Sequence, residues 1–148
     1  MSALATNTFR VRLGPPSGNT LAVPVKANAA TFDGSLVALV AGLAVAAADN
    51  ATHAVLGVAI RGYDNTGGAD GVVDGQTNER FVEVDRAGIW EFAITGDPDP
   101  GQVLFVVNDN TLSANATTHS IPAGIFLRWS GNGTGLGFVD VSLPAINS

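Results

Sequence analysis

The sequence predicts an all-β fold: a small barrel- or sandwich-like domain built from two related β-units and preceded by an extended N-terminal arm. Three observations carry this prediction. The stretch Gly34–Arg61 is written again at Gly101–Arg128. In each copy a Gly opens an apolar run of strand length, a small polar segment with Asn-Ala-Thr and a His follows, and Gly, three apolar residues and an Arg close the unit. Several other segments alternate apolar and polar side chains with the period of two that a half-buried strand requires. No segment sustains the 3.6-residue apolar period of a capped helix. Two copies are too few for a solenoid, which needs roughly three or more stacked units. The units, about 33–61 and 101–129, are therefore placed inside one domain, 19–148, with 1–18 as arm and Pro/Gly break.

Taken in order, Met1–Thr8 is small and polar, and Phe9-Arg-Val-Arg-Leu13 alternates like a half-exposed strand that pairs with the domain itself, the preferred reading, or with a neighbour's sheet edge. Gly14-Pro-Pro-Ser-Gly18 breaks the chain. In Asn19–Ala27, Leu21, Val23 and Val25 alternate, while Pro24 removes a ladder donor and suggests an edge strand. Phe32-Asp-Gly34 is a turn and Leu36–Val40 an apolar strand. Leu43–Ala48 is read as strand because its counterpart Thr111–Ala114 is short, although Ala also suits a helical turn. Val55–Ile60 is the next strand, and Arg61–Asn78 is one long irregular segment rich in Gly and Asp. Phe81–Asp85 and Ile89–Ile94 are expected to form a hairpin through Arg86-Ala-Gly88, with Trp90, Phe92 and Ile94 on one face. Gly96–Gly101 is a rigid connector into the second unit, Ser130–Gly137 a turn, Phe138–Leu143 the last strand and Pro144–Ser148 a tail.

Composition narrows the function. Of 148 residues only 14% are charged, against about 25% in ordinary domains. So neutral a surface suggests oligomerisation or docking onto a larger body; a Thr/Asn-rich β-domain surface is the plain alternative. Net charge is −6 and the seven Lys and Arg are spread singly, which argues against nucleic-acid binding. Cysteine is absent, excluding disulfides, thiolate zinc sites and a Cys nucleophile. The start, Met1-Ser-Ala-Leu-Ala-Thr-Asn, lacks the pattern of a signal peptide, and the longest low-polarity run, Leu36–Ala48, is far short of the roughly 20 residues that span a bilayer. A chain made in the cytoplasm, without membrane contact, is expected.

Candidate chemistry is sparse. Asp64, Asp70, Asp74 and Glu79 offer oxygen ligands, but not at the spacing of an EF-hand loop. His53 and His119 occupy matching places in the two units, which duplication alone explains; no third ligand type recurs beside either, so bonding of turn backbone is expected over a metal or catalytic role. No Gly-x-Ser-x-Gly elbow is present. Glu83, Asp85 and Glu91 are expected on solvated strand faces, and Gly131-Asn-Gly-Thr-Gly135 lacks both the Lys and the following helix of a phosphate loop. Asn50, Asn115 and Asn132 begin glycosylation sequons that mean nothing without secretion. Trp90 and Trp129 suit sugar stacking or, alternatively, core and subunit contacts. No enzyme, cofactor or metal is expected.

One resemblance gathers these pieces. The series Asp33-Gly-Ser-Leu-Val, Gly42-Leu-Ala-Val-Ala, His53-Ala-Val-Leu-Gly-Val-Ala59, Ala87-Gly-Ile-Trp-Glu-Phe92, Gly101-Gln-Val-Leu-Phe105, Pro122-Ala-Gly-Ile-Phe126 and Val139-Asp-Val-Ser-Leu143 resembles the small capsid decoration (cement) proteins of tailed bacteriophages. It covers roughly Phe32–Leu143, and Phe105 stands where an aromatic is usual; the Arg61–Asn78 loop and the Pro-rich segment depart from the pattern. The resemblance implies a β-barrel-like module on the outside of the virion, commonly a homotrimer. It would bind the major capsid protein and clamp the expanded shell. Under it, the arm with Phe9, Val11 and Leu13 is the expected shell contact, by strand addition, and Trp90 and Trp129 the expected packing or subunit contacts. The alternative is a tail, fibre or adhesin module that binds a glycan or a cell surface. A hydrolase working from the Asp-rich loop is a third reading.

Overall fold

A computed structural model describes residues 3–13, 20–74 and 78–142, and among them there are strands and no helix. In chain order the strands are β1 (Arg12–Leu13), β2 (Thr20–Pro24), β3 (Ala30–Thr31), β4 (Leu36–Val40), β5 (Leu43–Ala46), β6 (Ala54–Arg61), β7 (Tyr63–Asp64), β8 (Val72–Val73), β9 (Asn78–Glu79), β10 (Phe81–Asp85), β11 (Ile89–Thr95), β12 (Val103–Val106), β13 (Thr111–Ser113), β14 (Pro122–Trp129) and β15 (Leu136–Asp140). The expected Gly14–Gly18 break, Leu143 and the Pro144–Ser148 tail lie outside the described residues.

The strands close into two barrels. In the 6-stranded sheet, the pairing of β11 with β15 joins β11, β13, β12, β14 and β15 into a ring, and β1 attaches to β11 from outside. The 5-stranded sheet β2-β10-β6-β4-β5 is closed by a parallel bridge between Val25 and Ala44, where the Lys26 N–H donates to Ala44 O at 3.0 Å. Called here the first and second barrels in chain order, they have one topology and one register. Leu36, Val37 and Ala38 on β4 face Val58, Gly57 and Val55, with a bulge after Val37. Val103, Leu104 and Phe105 on β12 face Ile125, Gly124 and Pro122, with a bulge after Leu104. The bulge that sets Val84 against Ala59 and Glu83 against Arg61 recurs where Val139 faces Phe126 and Phe138 faces Arg128. Leu21 on Val84 corresponds to Trp90 on Val139, and the parallel closure Val25–Ala44 to Ile94–Leu112. The duplication seen in the sequence therefore extends beyond 33–61 and 101–129 to β2, β10, β11 and β15.

Both barrels need glycine at the same two points. Gly34 and Gly101 open the units with φ of +89° and +91°, left-handed conformations that side chains other than Gly adopt at a cost. A Cβ on Gly57 or Gly124 would collide with the carbonyl oxygen of Asp85 or Asp140 on the adjoining strand.

Side-chain volume separates the copies. The first interior is filled by Val23, Val25, Val37, Ala44, Leu56, Ala59, Val82 and Val84. At the matching places the second holds Phe92, Ile94, Leu104, Leu112, Ala123, Phe126 and Val139, with Gly137 opposite Val82 in the correspondence. Phe126 fits because Gly137 makes room: a Cβ there would lie 2.8 Å from the Phe126 ring.

The barrels are joined end to side. Leu36, Ala38, Val55 and Val58, on the outer face of the first barrel, belong to one buried cluster with Trp90, Val106, Ala123 and Val141, and Ile121 packs against it. Polar ties ring this seam. The Leu36 N–H donates to Asp109 O at 2.9 Å, and Ser35 Oγ donates to the buried Asp109 carboxylate at 2.8 Å. The two Asn-Ala-Thr turns also meet: the Asp49 carboxylate accepts from Thr117 Oγ1, Thr118 N and His119 N. Partial desolvation raises the Asp49 pKa, but these three donors outweigh it and hold the carboxyl below its ordinary value.

Three expectations are corrected. Phe81–Ile94 is no hairpin: β10 has both edges taken, by β2 and β6, so residues 86–88 carry the chain from one barrel to the other. Pro24 does end β2, but β2 is no free edge, because Val25 closes the barrel. Arg61–Asn78 is not irregular throughout: among its described residues two short pairings occur, β7 with β3 and β8 with β9. Buried Asn65 fastens that segment by donating from Nδ2 to Lys26 O and Ala69 O.

Candidate functional site

Alternation predicts a half-exposed strand over Phe9–Leu13; in the fold Phe9 is 90% exposed and Arg10 points inward. The Arg10 guanidinium bridges the barrels: Nε donates to Gly34 O, Nη1 to Glu91 O and Nη2 to Asn110 Oδ1, each at 2.7 Å. It also stacks over the Phe92 ring, 4.0 Å from the centroid. Burial lowers the Arg10 pKa to about 10, against the pull of Asp109 and Glu91, so it stays charged at neutral pH. Arg12 pairs with Asp85 at 2.6 Å, and Asp85 is almost fully buried, not solvated as its strand pattern suggested. Around these anchors, Thr8 N donates to Asp33 O, and Glu91 N donates to Val11 O.

Between the arm and the first barrel lies a groove of about 380 Å³, lined by Asn7, Thr8, Phe9, Arg10, Asp33, Gly34, Ala59, Ile60 and Trp90. Ile60 is 40% exposed and supplies, with Phe9, the large apolar side chains on its rim. Arg10 and Asp33 are the charged residues among those that line it.

Of the other expected site residues, Val11 and Leu13 are half-buried, the latter paired with Ile89. Strand addition by this segment is already satisfied within the chain, on β11. Trp90 is buried in the core and Trp129 is 39% exposed, edge-on to Phe126 with centroids 5.1 Å apart. They pair on opposite sides of β15, so no exposed aromatic pair forms. His53 Nδ1 accepts from Ala48 N, and His119 Nδ1 lies 3.0 Å from Asp49 O, so both bond turn backbone as the structural reading held. Carboxylates of the Asp-rich segment are engaged by backbone and hydroxyl donors: Asp64 accepts from Thr66 N and Oγ1 in its own turn, and Asp70 accepts from Ala27 N after β2. Among the described residues no three His, Asp or Glu side chains are grouped to hold a metal ion, and no helix is long and apolar enough to cross a membrane.

Of the residues that line this groove, the sequence singled out Phe9 and Trp90 for contacts and passed over Arg10, Asp33, Gly34 and Ile60 in that role. The one available signal was the outward residue at the end of the Val55–Ile60 strand; the Asp33–Gly34 turn gave no hint that the arm lies across it. No protein-family model matches the chain, and no curated protein is significantly similar to it.

Proposed function

We propose that this chain is a non-catalytic structural protein of a phage virion that docks on the outside of the head, contacts the major capsid protein and stabilises the expanded shell. One observation carries the reading. Three hydrogen bonds from Arg10 and the Arg12–Asp85 ion pair fix the arm so that Phe9 stands in water beside an apolar groove. A large aromatic held out of the core by a rigid frame is the mark of a surface that is covered in use. The low charge of the chain and its sequence resemblance agree with docking on a protein shell. A protein that binds only the expanded shell stabilises that state by mass action, copy by copy. Homotrimers on the shell are part of this proposal.

The test is co-sedimentation with expanded empty heads, using Phe9→Ala and Ile60→Ser. Both side chains are exposed, so melting should stay at wild-type values while head binding falls at least about tenfold, the loss of roughly 1.4 kcal/mol. Wild-type saturation by both variants would remove the docking surface from the proposal. A glycan-binding tail or adhesin module is favoured by one feature only: exposed Trp129 stands near Asn132, whose Nδ2 donates to Glu91 at 2.6 Å. Sugar-dependent quenching of tryptophan fluorescence would support that reading.

A further inference from the structure

Because the barrels share one register, each surface of one has a counterpart on the other, and the internal seam uses only half of them. On the first barrel, Leu36, Ala38, Val55 and Val58 form the outer face on which the second barrel sits, and all four are buried. Their counterparts on the second barrel are Val103, Phe105, Pro122 and Ile125, equally apolar but only half-buried. On the second barrel, the end that sits on that face carries Trp90 and Ile121. The counterparts of these on the first barrel are Leu21, 43% exposed, and Ala54, also exposed. One chain thus keeps an open socket and an open plug of the kind that already fit each other within it.

We propose that a second copy of this chain fills them: the Leu21/Ala54 end of one first barrel seats on the Val103, Phe105, Pro122 and Ile125 face of a neighbour's second barrel. The volumes are exchanged as such a contact needs. The open face is bulkier than its filled counterpart, with Phe105 where Ala38 stands and Ile125 where Val58 stands. The open end is slimmer, with Leu21 in place of Trp90 and Ala54 in place of Ile121. None of these six positions is charged, whereas the seam residue Val141 has half-buried Arg86 as its counterpart, so the open end also carries one cation. The contact is head-to-tail, so copies close into a ring if the rotation between barrels permits and form an open chain if not. It does not depend on the proposed capsid role.

Head-to-tail contacts have a signature that self-complementary ones lack. Leu21→Arg spoils only the end, and Ile125→Asp spoils only the face. By light scattering across a concentration series, the wild type should exceed monomer mass and each variant alone should be monomeric. An equimolar mixture of the two should form dimers that grow no further, since one intact end and one intact face remain between them. Circular dichroism and melting verify folding. Leu21→Arg lies on an exposed end and keeps the core, and Phe105→Lys replaces Ile125→Asp should the latter not fold. A wild type that stays monomeric, a folded variant of wild-type mass, or a mixture that stays monomeric would each overturn the proposal.

Discussion

Asp85 shows how far a single side chain can depart from its strand pattern. Alternation puts it outside with Glu83, yet it is 2% exposed and paired with Arg12, which is itself only 17% exposed. Removing one partner of such a pair leaves a buried charge, so Asp85→Ala should cost about 3–5 kcal/mol in urea unfolding. The double change Arg12→Met with Asp85→Leu should recover most of that loss. His53 gives a pH-dependent counterpart. Desolvation, with a contribution from Lys26, lowers its pKa, and its Nδ1 must be unprotonated to accept from Ala48 N. Its contribution is complete above the unfolded value of 6.5 and is lost as pH falls from there through the lower folded value. The melting temperature of the wild type should therefore drop across that window more steeply than that of His53→Asn, whose amide oxygen can accept without titrating. The role of His53 as a turn-bonding residue was legible from its place in the repeat. That of Asp85 was not, because the ion pair joins distant parts of the chain and neither residue type carries a local sign of burial.

At the scale of elements, the short strands were legible from period two and the paired glycines, and so was the duplicated unit. The partners of each strand were not. The turn Arg86-Ala-Gly88 suits a hairpin and a crossing between barrels equally well, and only the occupied edges of β10 decide between them. Pairing of the Phe9–Leu13 strand with its own domain was among the expectations, but not that Arg10 and Arg12 would make the arm a strap across both barrels. Deleting residues 1–13 removes three charge-assisted hydrogen bonds from Arg10 and the β1 pairing, and should lower stability by at least about 3 kcal/mol. Loss of head binding by that deletion would consequently say less than loss by Phe9→Ala, which leaves the strap in place.

The whole molecule is two barrels fused through one buried cluster, so neither should open alone. Both tryptophans, Trp90 and Trp129, lie in the second barrel, while far-UV circular dichroism reports on both. Urea transitions followed by tryptophan fluorescence and by circular dichroism should coincide; a separate early transition in dichroism would show the first barrel unfolding independently. The shared register also poses a problem for a folding chain. Strand β15 could pair with β6, or β10 with β14, in the shared register and with the bulge preserved. What distinguishes native from exchanged pairings is the division of volume between Ala59 with Val82 and Phe126 with Gly137. Exchange would leave a void in one barrel and overfill the other, each a destabilising outcome. Unequal filling of matched sites thus acts as an address, sorting interchangeable strands to their own barrel during folding.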